Sequence, residues 1–355
     1  MPNLLVIILS LIILIFLHEL GHFLLAKKYG IKVEEFGIGL PPRIYGKKVG
    51  ETIYSINWLP LGGFVKLYGE DKKIDNQKSF SSKPIYQRAL VVFGGVAAFF
   101  VIAFLIFSVY SVVGVRTPVE EGVALEEMND PMIIITKSVR ESPAREAGIK
   151  PGDILTEVDG KEIDSPSQAI SILGEKEGVE TEITVIRGQE EKLFTLTPRM
   201  EYEEGEGAVG IGMAMTDIQK YPVYYAPLQG ARMTGEMTFM VGQGFGMLLQ
   251  SLVTGEPLPD EMEIGGPVAI VNIGAGALGR GISDFLHFLG AITVSLAVLN
   301  ILPIPALDGG RLMFLAIEKI KGSPISEKLE VGINTIFFFL LIGVMLFVTF
   351  KDLGL

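Results

Sequence analysis

Residues 4–22 read LLVIILSLIILIFLHELGH, an apolar run from Leu4 to Leu17, broken only by Ser10, that ends on His18-Glu19-Leu20-Gly21-His22. A helix needs about 20 mostly apolar residues to cross a bilayer, and the run continues through Phe23 to Ala26. Two imidazoles and a carboxylate are costly in such a helix, and ionisable groups at membrane depth mark function. Positions i and i+4 of a helix share one face, so His18 and His22 can hold one metal ion together. Glu19 follows the first histidine by one residue, where it reaches water at the metal without ligating. A zinc peptidase needs this arrangement: two neutral nitrogen donors, an open coordination position and a general base. The alternative is two buried histidines bonded to backbone carbonyls. It leaves the desolvation of Glu19 without a compensating role.

The rest of the 355-residue chain carries the same signature, with a mean hydropathy of +0.44 and a net charge of −11. There are no cysteines, so disulfides and thiolate zinc sites are excluded. Of the three histidines two are in the motif, so any third metal ligand is His287 or a carboxylate. Met1-Pro2-Asn3 lacks a basic region and no small-residue cleavage pattern follows, which reads as a retained span. Further spans are expected at about 89–113, at 283–315 with breaks at Pro303 and Pro305, and at 331–350. Between Lys27 and Arg88 there are twelve Lys and Arg against six Asp and Glu, whereas Arg116 to Lys220 has eleven against twenty-three. The positive-inside rule makes the first loop cytoplasmic, and the span order then puts the acidic insert and both termini outside.

The expected fold is thus an α-helical polytopic membrane protein of four spans, with a membrane-associated β-hairpin region and an inserted α+β domain. The divisions are 1–114 for the first two spans and the hairpin loop, 115–222 for the insert, 223–282 for an amphipathic interfacial segment, and 283–355 for the last two spans. Gln229, Arg232, Glu236, Gln243 and Gln250 punctuate the interfacial segment, and a helix lying in the interface accommodates them better than a fifth span does.

Asn300-Ile301-Leu302-Pro303-Ile304-Pro305-Ala306-Leu307-Asp308-Gly309-Gly310 is the second unusual intramembrane stretch. Its prolines open the backbone, which membrane depth tolerates only where protein or trapped water satisfies it. A two-histidine, one-carboxylate zinc site with one open position needs such an aspartate, and the alternative is that Asp308 caps the start of a half-helix. Four spans bring it to the depth of His18 and His22, roughly 25 Å in at 1.5 Å per residue. His287 lies 21 residues earlier in the sequence. Along one helix that is about 30 Å, so His287 belongs near the outer boundary instead. Asn300, alone among apolar neighbours, is placed to hydrogen-bond a substrate or a developing oxyanion, or a neighbouring helix.

HELGH paired with NILPIPALDGG resembles the site-2 protease family of intramembrane zinc metalloproteases. Phe36-Gly37-Ile38-Gly39, Gly62-Gly63-Phe64-Val65-Lys66-Leu67-Tyr68-Gly69-Glu70, Phe80, Lys83-Pro84, Gln87-Arg88 and Gly265-Gly266-Pro267-Val268 are similar to its bacterial regulator-of-sigma-E branch. The resemblance implies a zinc metalloendopeptidase with one zinc ion on His18, His22 and Asp308, Glu19 as catalytic base, and Asn300 holding substrate. It also implies a hairpin around Gly62, Gly63 and Phe64 that offers an edge to an unwound substrate. The family's Gly-Pro-x-x-Asn at the second span is replaced here by Gly94-Gly95-Val96-Ala97-Ala98. In the insert, Ser142-Pro143-Ala144 with Gly148, Gly152, Asp159-Gly160 and later alternating runs resembles a PDZ domain, either reading a peptide or screening bulky outer domains. The partners implied are single-span membrane proteins (anti-sigma factors or signal-peptide remnants), a peptide for the PDZ-like domain and the lipid bilayer, with no nucleic acid. The implied location is the bacterial inner membrane, the active site lying nearer the cytoplasmic side. The competing readings are a non-proteolytic PDZ scaffold, which gives no reason for a buried Glu19, and a zinc transporter, for which a single metal cluster is too few.

Overall fold

Apolar stretches without period-2 alternation become helices here, and the alternating stretches become strands. The computed structural model describes residues 2–70, 72–119, 123–188, 190–203, 205–256 and 265–353. Helix α1 (Pro2–Lys28) leads into strands β1 (Val33–Val49) and β2 (Thr52–Leu67), then helix α2 (Ile85–Val113). The insert comprises β3 (Val115–Pro118), β4 (Met132–Ser138), α3 (Pro143–Ala147), β5 (Ile154–Val158), β6 (Lys161–Glu162), α4 (Pro166–Glu175), β7 (Thr181–Arg187), β8 (Glu190–Leu196) and β9 (Ile211–Gln219). Five helices follow: α5 (Ala226–Thr254), α6 (Pro267–Arg280), α7 (Ile282–Ile301), α8 (Asp308–Lys321) and α9 (Glu327–Asp352).

Among the described residues, α1, α2, α7 and α9 are the four helices long and apolar enough to cross a membrane. Pro303 and Pro305 divide the third apolar region as their chemistry requires, ending α7 at Ile301 and letting α8 start at Asp308. Phe99 of α2 packs with Leu14 of α1 and Ala297 of α7. Ala103 and Phe107 of α2 pack with Val294 and Val298 of α7. The α2 helix is therefore the common wall of the bundle.

The amphipathic segment differs from the expectation in what covers its stripe. Met233, Met237, Val241 and Phe245 of α5 lie against the cluster of Phe107, Tyr110, Val294 and Val298, so protein takes up that face. Arg232, Glu236, Gln243 and Gln250 stay exposed. Residues 257–264 of the expected interfacial segment lie outside the described residues.

The insert forms a seven-stranded sheet in the order β3-β9-β4-β5-β7-β8, with β6 beside β5. Ile135, Val158, Ile183 and Val185 are fully buried at its centre. Its helices begin where the sequence places caps: Ser142 accepts from the Arg145 amide and Ser165 from that of Gln168, each before a proline. Gly148 and Gly152 take the left-handed conformations that their turns need. The buried Asp153 carboxylate accepts from the Arg187 guanidinium through Nε and Nη2, both at 2.7 Å, and this holds the Arg187 pKa above its usual value. Strands β3 and β9 pair from Val115↔Gln219 to Pro118↔Thr216, so the chain enters and leaves the insert side by side.

The first loop holds far longer strands than the short β-prone pieces at 52–56 and 64–67. Each strand folds over itself. Residues Glu35 to Ile38 stand opposite Lys66 to Gly63 on one side and Ile53 to Ile56 on the other, while Arg43 to Val49 pairs with Asn57 to Thr52. The segment from Gly63 to Leu67 is consequently an outer edge.

Candidate metal centre

Helix α1 places His18 and His22 one turn apart on the face that meets α2, and both are buried. Their Nε2 atoms stand 3.2 Å apart, and each lies 3.3 Å from Oδ2 of Asp308. Among the described residues these three side chains form the one group of His and carboxylate donors close enough together to share a metal ion. Nitrogen and oxygen donors bound at about 2.0–2.1 Å to a tetrahedral ion are separated by about 3.3 Å, so the observed spacing fits zinc. Asp308 Oδ2 is buried with no hydrogen-bond partner, the state of an acceptor whose partner is a cation. The His22 Nδ1 group donates to the Val91 carbonyl at 2.9 Å, which leaves the Nε2 lone pair directed at the cluster. The His18 ring stacks on Phe99, with centroids 4.5 Å apart.

The wall opposite the imidazoles is backbone. A side-chain carbon on Gly95 would overlap both histidine rings, and Gly94 meets Gly21 where α1 and α2 cross, 2.8 Å from a Cβ on Gly94 to the Gly21 carbonyl. The Gly95 backbone therefore lies directly against both imidazoles, leaving beside the donor cluster a space that any side chain there would fill. Gly309 and Gly310 work similarly at the other end. Any Cβ there would strike the carbonyls of Leu302 and Ile304, so the loop 302–307 folds tightly over the start of α8 and Asp308 turns inward.

Glu19 lies beside the cluster and accepts a hydrogen bond from the Val65 amide at 3.0 Å through Oε2. The hairpin's outer edge thus touches the residue expected as base. A Cβ on Gly62 would be 2.8 Å from Ile15, and one on Gly63 would be 3.7 Å from Glu19 Cγ and 3.0 Å from the Gly37 carbonyl. Phe64 packs over Gly37. Of the expected hairpin residues, Gly63 is thus the one that stands beside Glu19, while Gly62 lies against Ile15 and Phe64 against Gly37. Asn300 is in the last turn of α7, where its side-chain amide donates to Leu296 O at 2.8 Å and keeps a second N–H free to donate. His287 is far from this group, packed among the rings of Tyr110 and Phe107 at 5.5 and 6.3 Å.

Two ion pairs hold α8 in place, and sequence reasoning did not identify them. Arg88 of α2 grips Glu318 through both Nη atoms at 2.9 and 2.6 Å, and Arg311, three residues after Asp308, pairs with Glu70. Glu70 and Arg88 do belong to the stretches that carried the family resemblance, and this was the available signal.

Comparison with known proteins agrees with the geometry. The sequence model of peptidase family M50 matches residues 6–344. A Clostridium perfringens protein named "Putative zinc metalloprotease CPE1693" is 36% identical over 340 residues, covering 96% of this chain and 95% of that one. A Nostoc protein bearing the same description, all3971, is 32% identical over 96% of this chain and 93% of its own length. The "Regulator of sigma-W protease RasP" of Bacillus subtilis is 29% identical, covering 96% of this chain and 95% of its own. A match of this extent, over a donor cluster spaced for zinc, places the chain in peptidase family M50, the site-2 proteases, and makes it a zinc metalloprotease.

Proposed function

We propose that this protein hydrolyses a peptide bond within or near the transmembrane segment of single-span membrane proteins. The observation that carries this reading is the burial of the His18, His22 and Asp308 donors among apolar, membrane-length helices. A substrate reaching them is itself at membrane depth. Zinc, held by these three residues, supplies Lewis acidity and acidifies water at neutral pH. Glu19 takes the proton from the attacking water and delivers it to the leaving amine. The free amide hydrogen of Asn300 orients the substrate carbonyl.

Peptide cleavage needs an extended backbone, because a helix engages its own carbonyls. The Gly63–Leu67 edge lies directly beside Glu19; its Val65 amide is held by that carboxylate, and the Val65 carbonyl on the same side would accept from an unwound substrate strand. We read the edge as the place where an unwound substrate adds as a strand. By charge, the loop at the α1–α2 connection faces the cytoplasm and the insert faces out, giving four spans with α5 accompanying α2. We read the insert as a PDZ-like domain. The support is that, among the described residues, β9 pairs with β3 only from Thr216 onward and Ile211 to Ala214 pair with β4 alone, an edge to which an extended chain end can add. The name of the Bacillus relative makes anti-sigma factors the first substrates to try.

The test is Glu19→Gln assayed on a single-span substrate in detergent. Cleavage is expected to fall by about 10²- to 10⁴-fold while zinc content stays at the parent level. Unchanged cleavage would remove Glu19 as the base.

A further inference from the structure

A groove of about 850 Å³ runs between α2 and α8. Two helical stripes line it. Tyr86, Leu90 and Phe93 stand at i, i+4 and i+7 on α2, and Leu312, Leu315 and Lys319 at i, i+3 and i+7 on α8. Tyr86, Leu90 and Phe93 are 61%, 41% and 38% exposed, so no protein segment among the described residues covers them.

The groove is polarised along its length. Gly95 stands at the histidine pair that meets Asp308, and Arg88 stands at Glu318, so α2 and α8 run in opposite directions, with Lys319 towards Tyr86 and Leu312 towards Phe93. Polar groups occur only at the first end. There the Arg88 guanidinium and the Glu318 carboxylate consume each other. Lys319 is exposed and has no ion-pair partner among the described residues, which leaves this end with one uncompensated positive charge. From Tyr86 to Phe93 the apolar part extends about 10 Å along the helix axis.

We infer that this groove is a binding site for one anionic phospholipid, with an acyl chain along Leu90, Phe93, Leu312 and Leu315 and the phosphate at Lys319. The inference rests on α2 being a membrane span. Such a site matches both features at once: an apolar channel that water would fill only at a cost, and a lysine at its polar mouth placed at the depth of headgroups. The site also has a defined relation to the metal. Phe93 immediately precedes Gly94-Gly95, and Leu312 follows Asp308 by one turn, so the lipid would lie in the seam between the two helices that close the metal site.

The experiment measures phospholipid retained by the full-length protein after detergent washing, followed by rebinding of phosphatidylglycerol or phosphatidylcholine from mixed micelles. The parent is expected to keep about one phosphatidylglycerol per chain and to prefer it over phosphatidylcholine by about fivefold, the worth of one lysine near the headgroups. Lys319→Gln should abolish that preference, and Ala316→Trp, which fills the groove, should lower retention of both lipids, each variant keeping its zinc. An unchanged preference in Lys319→Gln overturns the proposal and does not depend on whether the tryptophan variant folds. A photo-crosslinker at Leu90 that captures a substrate span in preference to lipid would also overturn it, by making the groove a substrate surface. Lipid retention is read without any proteolysis assay, so its failure leaves the proposed reaction untouched.

Discussion

The seam between α1 and α2 and the flank of α9 show two different ways to attach an apolar helix. At the seam, Gly21 and Gly94 bring backbones into contact, and Val91, Val92, Val96 and Phe99 are buried along it. Helix α9 has no buried residue. It is tied at two polar points: the Asn334 side-chain carbonyl accepts from the Ala306 amide at 3.0 Å, and Asp352 accepts from the amides of Gly266 at 3.2 Å and Ala269 at 3.0 Å. Lipid chains are as apolar as leucine, so helices in a bilayer associate through close packing and discrete hydrogen bonds. The seam uses the first, setting the backbone of α2 directly against the helix that carries both histidines. The α9 helix uses the second, and the Asn334 tie reaches the loop that delivers Asp308.

The contrast breaks first at the seam. Gly95→Ala drives a methyl group into both imidazoles and should lower zinc affinity by about 10- to 100-fold, the range seen when a metal site's supporting shell is disturbed. Zinc content after dialysis against a graded chelator measures it, and a parent-like value would mean the α2 wall is not where the metal sits. Gly94→Leu should cost about 3 kcal/mol through overpacking against α1. Next comes the clamp on α8. Arg88→Met strands the mostly buried Glu318 carboxylate, at a cost of about 2 kcal/mol after allowance for its residual exposure. Adding Glu318→Leu should recover most of that loss, and an additive double variant would show that the two residues do not act as a pair.

At α9 the effects should be smaller. Asn334→Ala and Asp352→Ala are each expected to cost about 0.6 kcal/mol, the average for a hydrogen bond between membrane helices. Hydrogen exchange should then rise in α9 and leave α1 and α2 unchanged, and equal increases in all three would erase the distinction between the two attachments. The smallest effect lies in the insert. Asp159 accepts from the Glu182 amide at 2.8 Å and pairs with Lys176, and these contacts hold its pKa below the usual carboxylate range. A lowered folded-state pKa means the contribution is complete at neutral pH and is lost as pH falls below about 4. Asp159→Asn should flatten that part of the insert's acid unfolding curve.

Some of this organisation was legible residue by residue. His18 and His22 at i and i+4, Asp308 after two prolines, and the caps Ser142 and Ser165 are local patterns whose chemistry depends on a few neighbours. The hairpin was only half legible. Thr52–Ile56 and Phe64–Leu67 alternate as strands, but the fold-over that makes Gly63–Leu67 an outer edge depends on pairings with Glu35–Ile38 that no local pattern encodes. The amphipathic character of α5 was visible, whereas what covers its stripe was not, because an apolar face looks the same whether it meets lipid or Phe107. The Gly94-Gly95 substitution read as a gap in a motif until the opposing imidazoles gave it a role.

The sequence by itself determined which segments are apolar enough to enter a membrane, which residues are candidates to hold zinc, and the family to which the chain belongs. These follow from side-chain chemistry at short spacing. The tertiary structure alone decided that donors 286 positions apart meet, that Val65 of the hairpin edge touches Glu19, and that α2 and α8 enclose an open groove. Those facts depend on how helices cross and where backbones can approach, and in this protein that is set by glycines and ion pairs acting across long sequence separations.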